Sequence, residues 1–248
     1  MKKLITILAL AAAFATAHAE ETTIVDYGQT SPAIIFDFIW EYDTNTIDGV
    51  TYAIIKGVRG SGSDYISGGI SVPTSVSESQ NGPGYIVKEI ASGAFANQIG
   101  ITSVSIPLTI QTIGAGVFTG CTVLSEIVVD DGNPWFSSTA GVLYDKDHTK
   151  IIACPARAET IQLPMSLTEI GTNAFASCHR LLSLNIPASV TAIGAEAFKD
   201  CTRLSSVTFE GNAPTADSSI VDGANASLVF YKKPGSTGWD ASPWSRNG

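Results

Sequence analysis

Apolar residues recur along this chain in a six-residue phrase whose first, fourth and sixth positions are apolar. The phrase occurs as Ile101-x-x-Val104-x-Ile106, Leu124-x-x-Ile127-x-Val129, Leu181-x-x-Leu184-x-Ile186 and Leu204-x-x-Val207-x-Phe209. Its second half alternates with a period of two, which predicts a short strand with one face inward and the other in solvent. Pro107, Pro164 and Pro187 are expected to close strands, because proline cannot donate to a continuing ladder.

A second motif, written IGTNAFASC at residues 170–178, returns at residues 193–201, 113–121 and, less clearly, 90–98. Its phenylalanines, Phe95, Phe118, Phe175 and Phe198, are 23, 57 and 23 residues apart, so a 23-residue register is broken once by an insertion. The AFxxC segment predicts one helical turn with its apolar side facing inward. One coil cannot bury such a face alone, so the sequence predicts a β-rich solenoid of stacked coils.

The combined pattern IPxSVTxIGxxAFxxCxxLxxV resembles the BspA-like leucine-rich repeats of bacterial secreted and cell-surface proteins. Residues 186–209 match it almost completely, whereas Gln98 replaces the cysteine of the first unit. The resemblance covers residues 86–212 and implies a one-domain solenoid with short strands, short helical turns and β caps. The N-terminal cap is expected over residues 20–85, and a closing strand and cap over 213–248. Residues 130–155 resemble an extended repeat in which a hairpin interrupts the coil.

The N-terminus carries the features of a secretory signal peptide. Met1-Lys2-Lys3 is followed by an apolar run too short to span a bilayer comfortably, and the run ends in Ala17-His18-Ala19. We expect residues 1–19 to be cleaved before Glu20, leaving an exported chain with no membrane span. The expected location is extracellular, at the cell surface or in the periplasm.

Charge and composition exclude several classes of function. The formal net charge is −9, and removal of the signal leaves 12 basic against 23 acidic residues, about −11. Nucleic acid is therefore not expected as a partner, since phosphate binding needs clustered basic residues. The sequence predicts no enzyme, no cofactor and no metal site. His148 and His179 lie in turn contexts, the Asp130-Asp131 and Asp145-x-Asp147 pairs are better explained by turn chemistry, and zinc-ligand spacings are missing.

Cys121, Cys178 and Cys201 occupy one slot of the repeat, and Cys154 lies in the insertion. Stacked strands are about 4.8 Å apart, which allows a Cys178–Cys201 disulfide. Free buried thiols are favoured instead, because stacked side chains point inward in parallel and Gln98 fills the same slot without a partner. Both alternatives stay open at this stage.

The candidate binding residues are outward strand positions and two aromatic residues of the insertion. They are Glu126, Val128, Ser183, Asn185, Ser206 and Thr208, with Ser103 and Ser105 on the same face, together with Trp135 and Phe136. Solenoids commonly bind partners on such faces. The resemblance implies adhesion to an extracellular protein or glycan by a non-catalytic surface module. The alternative is a structural, self-associating component of the cell envelope or of an extracellular assembly.

Overall fold

The structure is a computed structural model that describes residues 3–7, 22–23, 38–60, 66–77, 84–240 and 244. Its N-terminal strands are β1 (Lys3–Ile7), β2 (Thr22–Thr23), β3 (Phe38–Ile47), β4 (Val50–Gly60), β5 (Gly68–Ser71), β6 (Ser75–Ser77), β7 (Gly84–Ile90), β8 (Ile101–Ile106), β9 (Thr112–Ile113) and β10 (Glu126–Val129). The later strands are β11 (Phe136–Thr139), β12 (Val142–Asp145), β13 (Lys150–Ala153), β14 (Glu169–Ile170), β15 (Ser183–Ile186), β16 (Ala192–Ile193), β17 (Ser206–Phe209), β18 (Thr215–Ala216) and β19 (Val229–Lys232). The described residues include one short 3₁₀ helix, Ser218–Val221, and no α-helix.

The strand phrase of the sequence forms two parallel three-stranded sheets on one side of the solenoid. The N-terminal sheet has the order β10–β8–β5, and the C-terminal sheet has the order β15–β17–β19. In register, Val104 pairs with Ile127 and Leu184 pairs with Val207, and all four side chains are buried. The predicted solenoid with inward apolar positions is therefore confirmed.

The returning side of each coil is tied to the next coil by backbone hydrogen bonds. The two-residue strands β14, β16 and β18 pair in parallel, and β13 extends this sheet at the other edge. One bond of this side joins the Thr191 amide to the Thr168 carbonyl oxygen at 2.9 Å, 23 residues away. The coils therefore stack in the register that the spacing of the phenylalanines predicts.

The AFxxC segments form consecutive tight turns where the sequence predicts a helical turn. In the third unit the Ala176 and Cys178 amides donate to carbonyl oxygens three residues earlier, each at 3.0 Å. Asn173 and Ser177 adopt positive φ of 58° and 64°, which ends each turn before a helix can propagate. The turns hold the phenylalanine rings in a stack: Phe175 and Phe198 lie 5.4 Å apart and Phe95 and Phe118 lie 5.5 Å apart.

The insertion forms a three-stranded antiparallel meander, β11–β12–β13, as the hairpin prediction requires. The meander lies between two hydrophobic cores. Leu143 is buried with the N-terminal core, whereas Val142 and Tyr144 are buried with the C-terminal core. Burial of both faces explains why VLY is a continuous apolar run without alternation.

The N-terminal strands extend the fold beyond the repeats. β3 and β4 form an antiparallel hairpin, and β4 lies parallel to β7. β1 pairs with β3 in the full-length chain and lies within the predicted signal peptide. The predicted cleavage site before Glu20 falls outside the described residues, so the processing step and the boundaries of the N-terminal cap stay predictions.

The C-terminal tryptophans pack against the last coil. The rings of Trp239 and Trp244 meet Phe209 edge-to-face, with ring centroids 4.9 and 5.1 Å away. Trp239 Nε1 donates to Ser236 Oγ at 3.0 Å, and Trp244 Nε1 donates to the Pro214 carbonyl oxygen at 3.2 Å. Both indoles are buried and hydrogen-bonded, which gives them a packing role.

Candidate binding surface

The predicted row of outward strand residues is divided between the two sheets. Glu126 and Val128 lie on β10, next to Ser103 and Ser105 of β8. The other four, Ser183, Asn185, Ser206 and Thr208, lie on β15 and β17 of the C-terminal sheet. The meander and residues 159–163 separate the two groups, so the structure does not join them into one continuous ladder.

The C-terminal group continues onto β19, which adds an aromatic side chain. Ser206 pairs with Val229 and Thr208 pairs with Tyr231, so these side chains share the outward face with Ser183 and Asn185. Tyr231 is 55% exposed. We call these six residues the C-terminal face: Ser183, Asn185, Ser206, Thr208, Val229 and Tyr231.

Sequence reasoning missed Val229 and Tyr231, although the register contained them. Counting 23 residues on from Ser206 and Thr208 reaches Val229 and Tyr231. The signal is hidden because Ser227 stands where the phrase would begin with an apolar residue, and the neighbouring Leu228 is buried instead. The strand alternation is kept while the first part of the phrase is shifted by one residue.

A groove of about 290 Å³ runs beside the C-terminal face. Ile161, Leu163 and Met165 line one side of it, and Ser183 and Asn185 of β15 line the other. Residues 160–163 occupy the place of a strand, but within the described chain they pair with no strand. The Ser205 and Glu210 amides, which flank β17, donate to the Leu182 and Ile186 carbonyl oxygens at 2.9 and 3.0 Å and hold β15 against β17.

Trp135 and Phe136 differ in exposure, and the expectation that both are exposed is wrong for Phe136. Trp135 is 43% exposed, whereas Phe136 is 8% exposed and belongs to the N-terminal core. The reason is Asn133, which is fully buried and whose Oδ1 accepts hydrogen bonds from the Trp135 and Phe136 amides, both at 2.8 Å. This turn directs the Phe136 ring inward.

Glu126 and Val128 are exposed beside the turn between β11 and β12. The Ile127 amide donates to the Gly141 carbonyl oxygen at 2.9 Å, which places that turn against β10. The Val129 amide donates to Ser138 Oγ at 3.0 Å. Trp135 lies three residues before Ser138, roughly 10 Å further along the strand direction. The predicted surface of Trp135 with Glu126 and Val128 is therefore spread over the length of β11.

The polar residues considered for catalysis or metal binding have structural roles. The Asp145 carboxylate accepts hydrogen bonds from the Thr149 and Lys150 amides at 2.7 and 2.9 Å and so shapes the β12–β13 turn. The His148 ring packs on Tyr144 with centroids 4.9 Å apart. Within the described ranges, no group of three or more histidine, cysteine, aspartate and glutamate side chains could hold a metal ion.

All four cysteines are free and buried. In two coils the thiol donates to the carbonyl oxygen of the preceding coil's phenylalanine: Cys121 to Phe95 and Cys201 to Phe175, each at 3.0 Å. Gln98, which replaces the cysteine in the first unit, donates its Nε2 to the Val58 carbonyl oxygen at 3.2 Å. Burial raises the pKa of the Cys121 thiol to about 12 and also raises the pKa of Cys201. These thiols are therefore protonated hydrogen-bond donors.

Comparison with known proteins agrees with this architecture. The profile of the BspA type Leucine rich repeat region matches in six copies, over residues 87–140 and 153–233. The unmatched residues between these ranges belong to the meander. No helix in the described part of the chain has the length and apolar character needed to cross a membrane. A search of curated protein sequences finds no match.

Several solved bacterial structures align with the chain. A leucine-rich repeat protein from Eubacterium ventriosum aligns with a TM-score of 0.50 and 17% identity, over 66% of this chain and 53% of that protein. A leucine-rich repeat protein from Bacteroides ovatus aligns at 0.44 and 20% identity, over 84% and 57%. A leucine rich cell surface protein from Faecalibacterium prausnitzii aligns at 0.41 and 21%, over 78% and 49%.

At 17% identity, the likeness to the Eubacterium ventriosum protein shows a shared fold alone. The chain spans about half the length of the Eubacterium ventriosum protein. The repeat profile, in contrast, covers more than half of this chain and falls on the coils that the structure shows. The chain belongs to the BspA-type leucine-rich repeat family.

Proposed function

We propose that this chain is a non-catalytic binding module that recognises an extracellular protein or glycan through its C-terminal face. Proteins of this family are typically non-catalytic binding modules and typically stand at the bacterial cell surface. Export by the predicted signal peptide, and adhesion as the purpose of binding, are parts of the same proposal.

The observation that carries the proposal is the alignment of the six side chains on β15, β17 and β19. Three parallel strands hold them in register, and the inward neighbours Leu184, Val207 and Phe230 pack into the core. The outward side chains do not support that core. A rigid flat face of this kind offers a partner fixed contact positions at little cost in conformational entropy.

Tyr231 gives this face an anchor of the type that dominates binding energy. Tyrosine is enriched among residues whose truncation strongly weakens complexes, because it combines a large apolar ring with a hydroxyl group. Apart from Val229, the other residues of the face are small and polar, and they can form a hydrated rim around the ring. The groove beside β15 adds apolar depth through Ile161, Leu163 and Met165.

The test is an array of matrix proteins and glycans probed with the purified protein, followed by affinity measurements on any hit. We expect Tyr231→Ala to weaken binding about tenfold or more, as loss of an interface anchor does. Leu108→Ala is the matched control, since Leu108 is similarly exposed but follows β8 in the N-terminal half. Equal loss in both variants, or none in Tyr231→Ala, contradicts the proposed face.

The surface of Trp135, Glu126 and Val128 is the second candidate site. If a partner binds the Tyr231→Ala variant with unchanged affinity but the Trp135→Ala variant with lower affinity, the binding site is this surface instead. Phe136 is not a suitable contact in either case because its ring is buried. A Phe136 variant therefore reports on folding rather than on binding.

Self-association is the second candidate function, and the edge of β19 is the observation that favours it. In the described chain, β19 pairs only with β17, so its other edge is open to a strand of another copy. Lys232, the exposed last residue of β19, opposes such pairing by charge repulsion. Sedimentation velocity over rising concentration separates the two functions: a constant monomer contradicts the structural role.

A further inference from the structure

Cys178 differs from the other two cysteines of the repeat slot. Cys121 and Cys201 each donate to a phenylalanine carbonyl oxygen at 3.0 Å. The Cys178 Sγ has no such partner and instead lies 3.8 Å from each of the Cys154 and Pro155 carbonyl oxygens. These contacts are long even for sulfur, so the third coil lacks the strong thiol hydrogen bond of its neighbours.

The insertion causes this difference. Where the preceding coil would supply a phenylalanine carbonyl, the chain leaves β13 and passes through Cys154 and Pro155. The Cys154 amide donates to the Ala174 carbonyl oxygen at 2.7 Å, which fixes Cys154 beside the turn that carries Cys178. The Cys154 thiol lies 3.5 Å from the carbonyl oxygen of its own neighbour, Pro155. Two weakly bonded thiols are therefore held side by side.

The electrostatics of the pair agree with this contact. A hydrogen bond with the Cys154 side chain, followed by burial, raises the pKa of the Cys178 thiol well above its usual range. Both side chains belong to the C-terminal core, and Cys178 is fully buried. In the folded, reduced protein the Cys178 thiol therefore does not readily form the thiolate that disulfide exchange requires.

We propose that Cys154 and Cys178 are a disulfide pair, closed when the chain folds in the presence of a disulfide oxidant. The oxidant is a small-molecule disulfide or the disulfide of an exchange enzyme. One cysteine thiolate attacks this disulfide and releases one thiolate, giving a mixed disulfide on the protein. The second cysteine then attacks the protein sulfur and releases the second thiolate. The two cysteines lose two protons and two electrons, and the oxidant leaves as two thiols.

The bridge would tie the end of the meander to the third coil, at the boundary between the two cores. It closes a loop of about 24 residues, a length for which a crosslink restricts the unfolded chain appreciably. Cys201 is the alternative partner of Cys178, but its thiol is directed to the Phe175 carbonyl oxygen. The geometry therefore favours Cys154, which the repeat pattern alone does not pair with Cys178.

The test is refolding of the reduced, denatured full chain with a mixture of reduced and oxidised glutathione, then alkylation and trypsin digestion. Trypsin separates the four cysteines, because Cys154 falls in residues 151–157, Cys178 in 158–180, Cys201 in 200–203 and Cys121 in 89–146. We expect one bridged product that joins 151–157 to 158–180, and two free thiols after denaturation. A product that joins 158–180 to 200–203, or four free thiols in refolded protein, overturns the proposal.

Thermal unfolding supplies a second readout. Refolding with glutathione should raise the midpoint by about 5–10 °C over the reduced protein, the shift that a crosslink of this loop length typically gives. Cys154→Ser should abolish the increase and leave no bridged peptide. Cys121→Ser is the matched control, because it also removes a buried thiol. This variant should keep both the increase in the midpoint and the bridged peptide. An increase that survives in Cys154→Ser assigns the effect to another pair and overturns the proposal.

Discussion

Leu143 and Tyr144 are neighbours in β12, and their side chains are buried in two different cores. Alternation along the strand places Leu143 with the N-terminal coils and Tyr144 with the C-terminal coils. The insertion therefore acts as a partition between two half-solenoids. Burial raises the pKa of the Tyr144 phenol to about 12, which agrees with its position inside the protein.

The phenylalanine stack should contribute strongly to stability. Phe175→Ala and Phe198→Ala are each expected to lower the free energy of unfolding by about 3–5 kcal/mol, because each leaves a cavity between two coils. Ser206→Ala, on the outward face, should lower it by less than about 0.5 kcal/mol. Chemical denaturation of the three variants measures these differences, and equal midpoints would contradict the role of the stack.

Asn133 should be the polar residue on which the start of the meander depends. Its Nδ2 donates to the Pro107 and Ile110 carbonyl oxygens at 3.0 and 2.9 Å, in addition to the two amides that its Oδ1 accepts. Asn133→Ala leaves four backbone groups without this partner and should cost about 3 kcal/mol or more.

Asn133→Asp separates the two halves of this network, because it keeps the acceptor while it replaces the donor and adds a charge. It should also be clearly destabilising near pH 7. Asn185→Ala is the exposed control, with an expected cost under about 0.5 kcal/mol. Denaturant midpoints within error of one another for Asn133→Ala and Asn185→Ala would remove the role assigned to Asn133.

Glu196 should make the stability of the fourth coil depend on pH. Hydrogen bonds from Lys199 and then from Asn173 lower the pKa of this carboxyl below its ordinary value of 4.5. A lowered folded-state pKa means that the stabilisation is present above about pH 4.5 and is lost as the pH falls through the folded-state pKa. Glu196→Gln should therefore lower the thermal midpoint at pH 7, and the difference should shrink below pH 4.5.

The matched control for this pH profile is Glu126→Gln, which removes an exposed carboxylate from another coil. It reports the general effect of one fewer negative charge. A difference between the Glu196→Gln protein and the unaltered protein that stays constant from pH 7 to pH 3 would show that the two hydrogen bonds do not stabilise the ionised carboxylate.

The mature N-terminus is expected at Glu20. Cleavage after the Ala17-His18-Ala19 site removes β1. In the mature chain β3 therefore loses the strand that pairs with this edge in the full-length chain. Intact-mass measurement or N-terminal sequencing of secreted material tests the position. Recovery of a chain that begins at Met1 from the culture fluid would contradict it.

The repeat geometry was predictable because the apolar side chains that each coil must bury recur at a fixed spacing. Val104, Ile127, Leu184 and Val207 mark inward strand positions, and the 23-residue spacing of the phenylalanines gives the stacking. A structure with one strand and one turn per 23 residues has few ways to bury these positions together. Sequence reasoning therefore reached the solenoid and the place of its interruption.

Other features depend on contacts between distant segments. The inward direction of Phe136 follows from the Asn133 turn, and the turns around Asn173 and Ser177 follow from positive φ angles that a helical pattern does not reveal. The contact of Cys154 with Cys178 arises because the insertion replaces a coil. Local periodicity carries no information on any of these contacts.

The 23-residue register makes successive repeat units of this protein structurally equivalent. Cys178-His179-Arg180-Leu181 and Cys201-Thr202-Arg203-Leu204 hold equivalent places in successive coils, so excision of residues 179–201 rejoins the chain at a matching junction. Each gain or loss of such a unit changes the length of the sheet by one strand spacing, about 4.8 Å. A gene that duplicates or deletes one unit can thus adjust how far the outward surface reaches while every fold-forming contact type is kept.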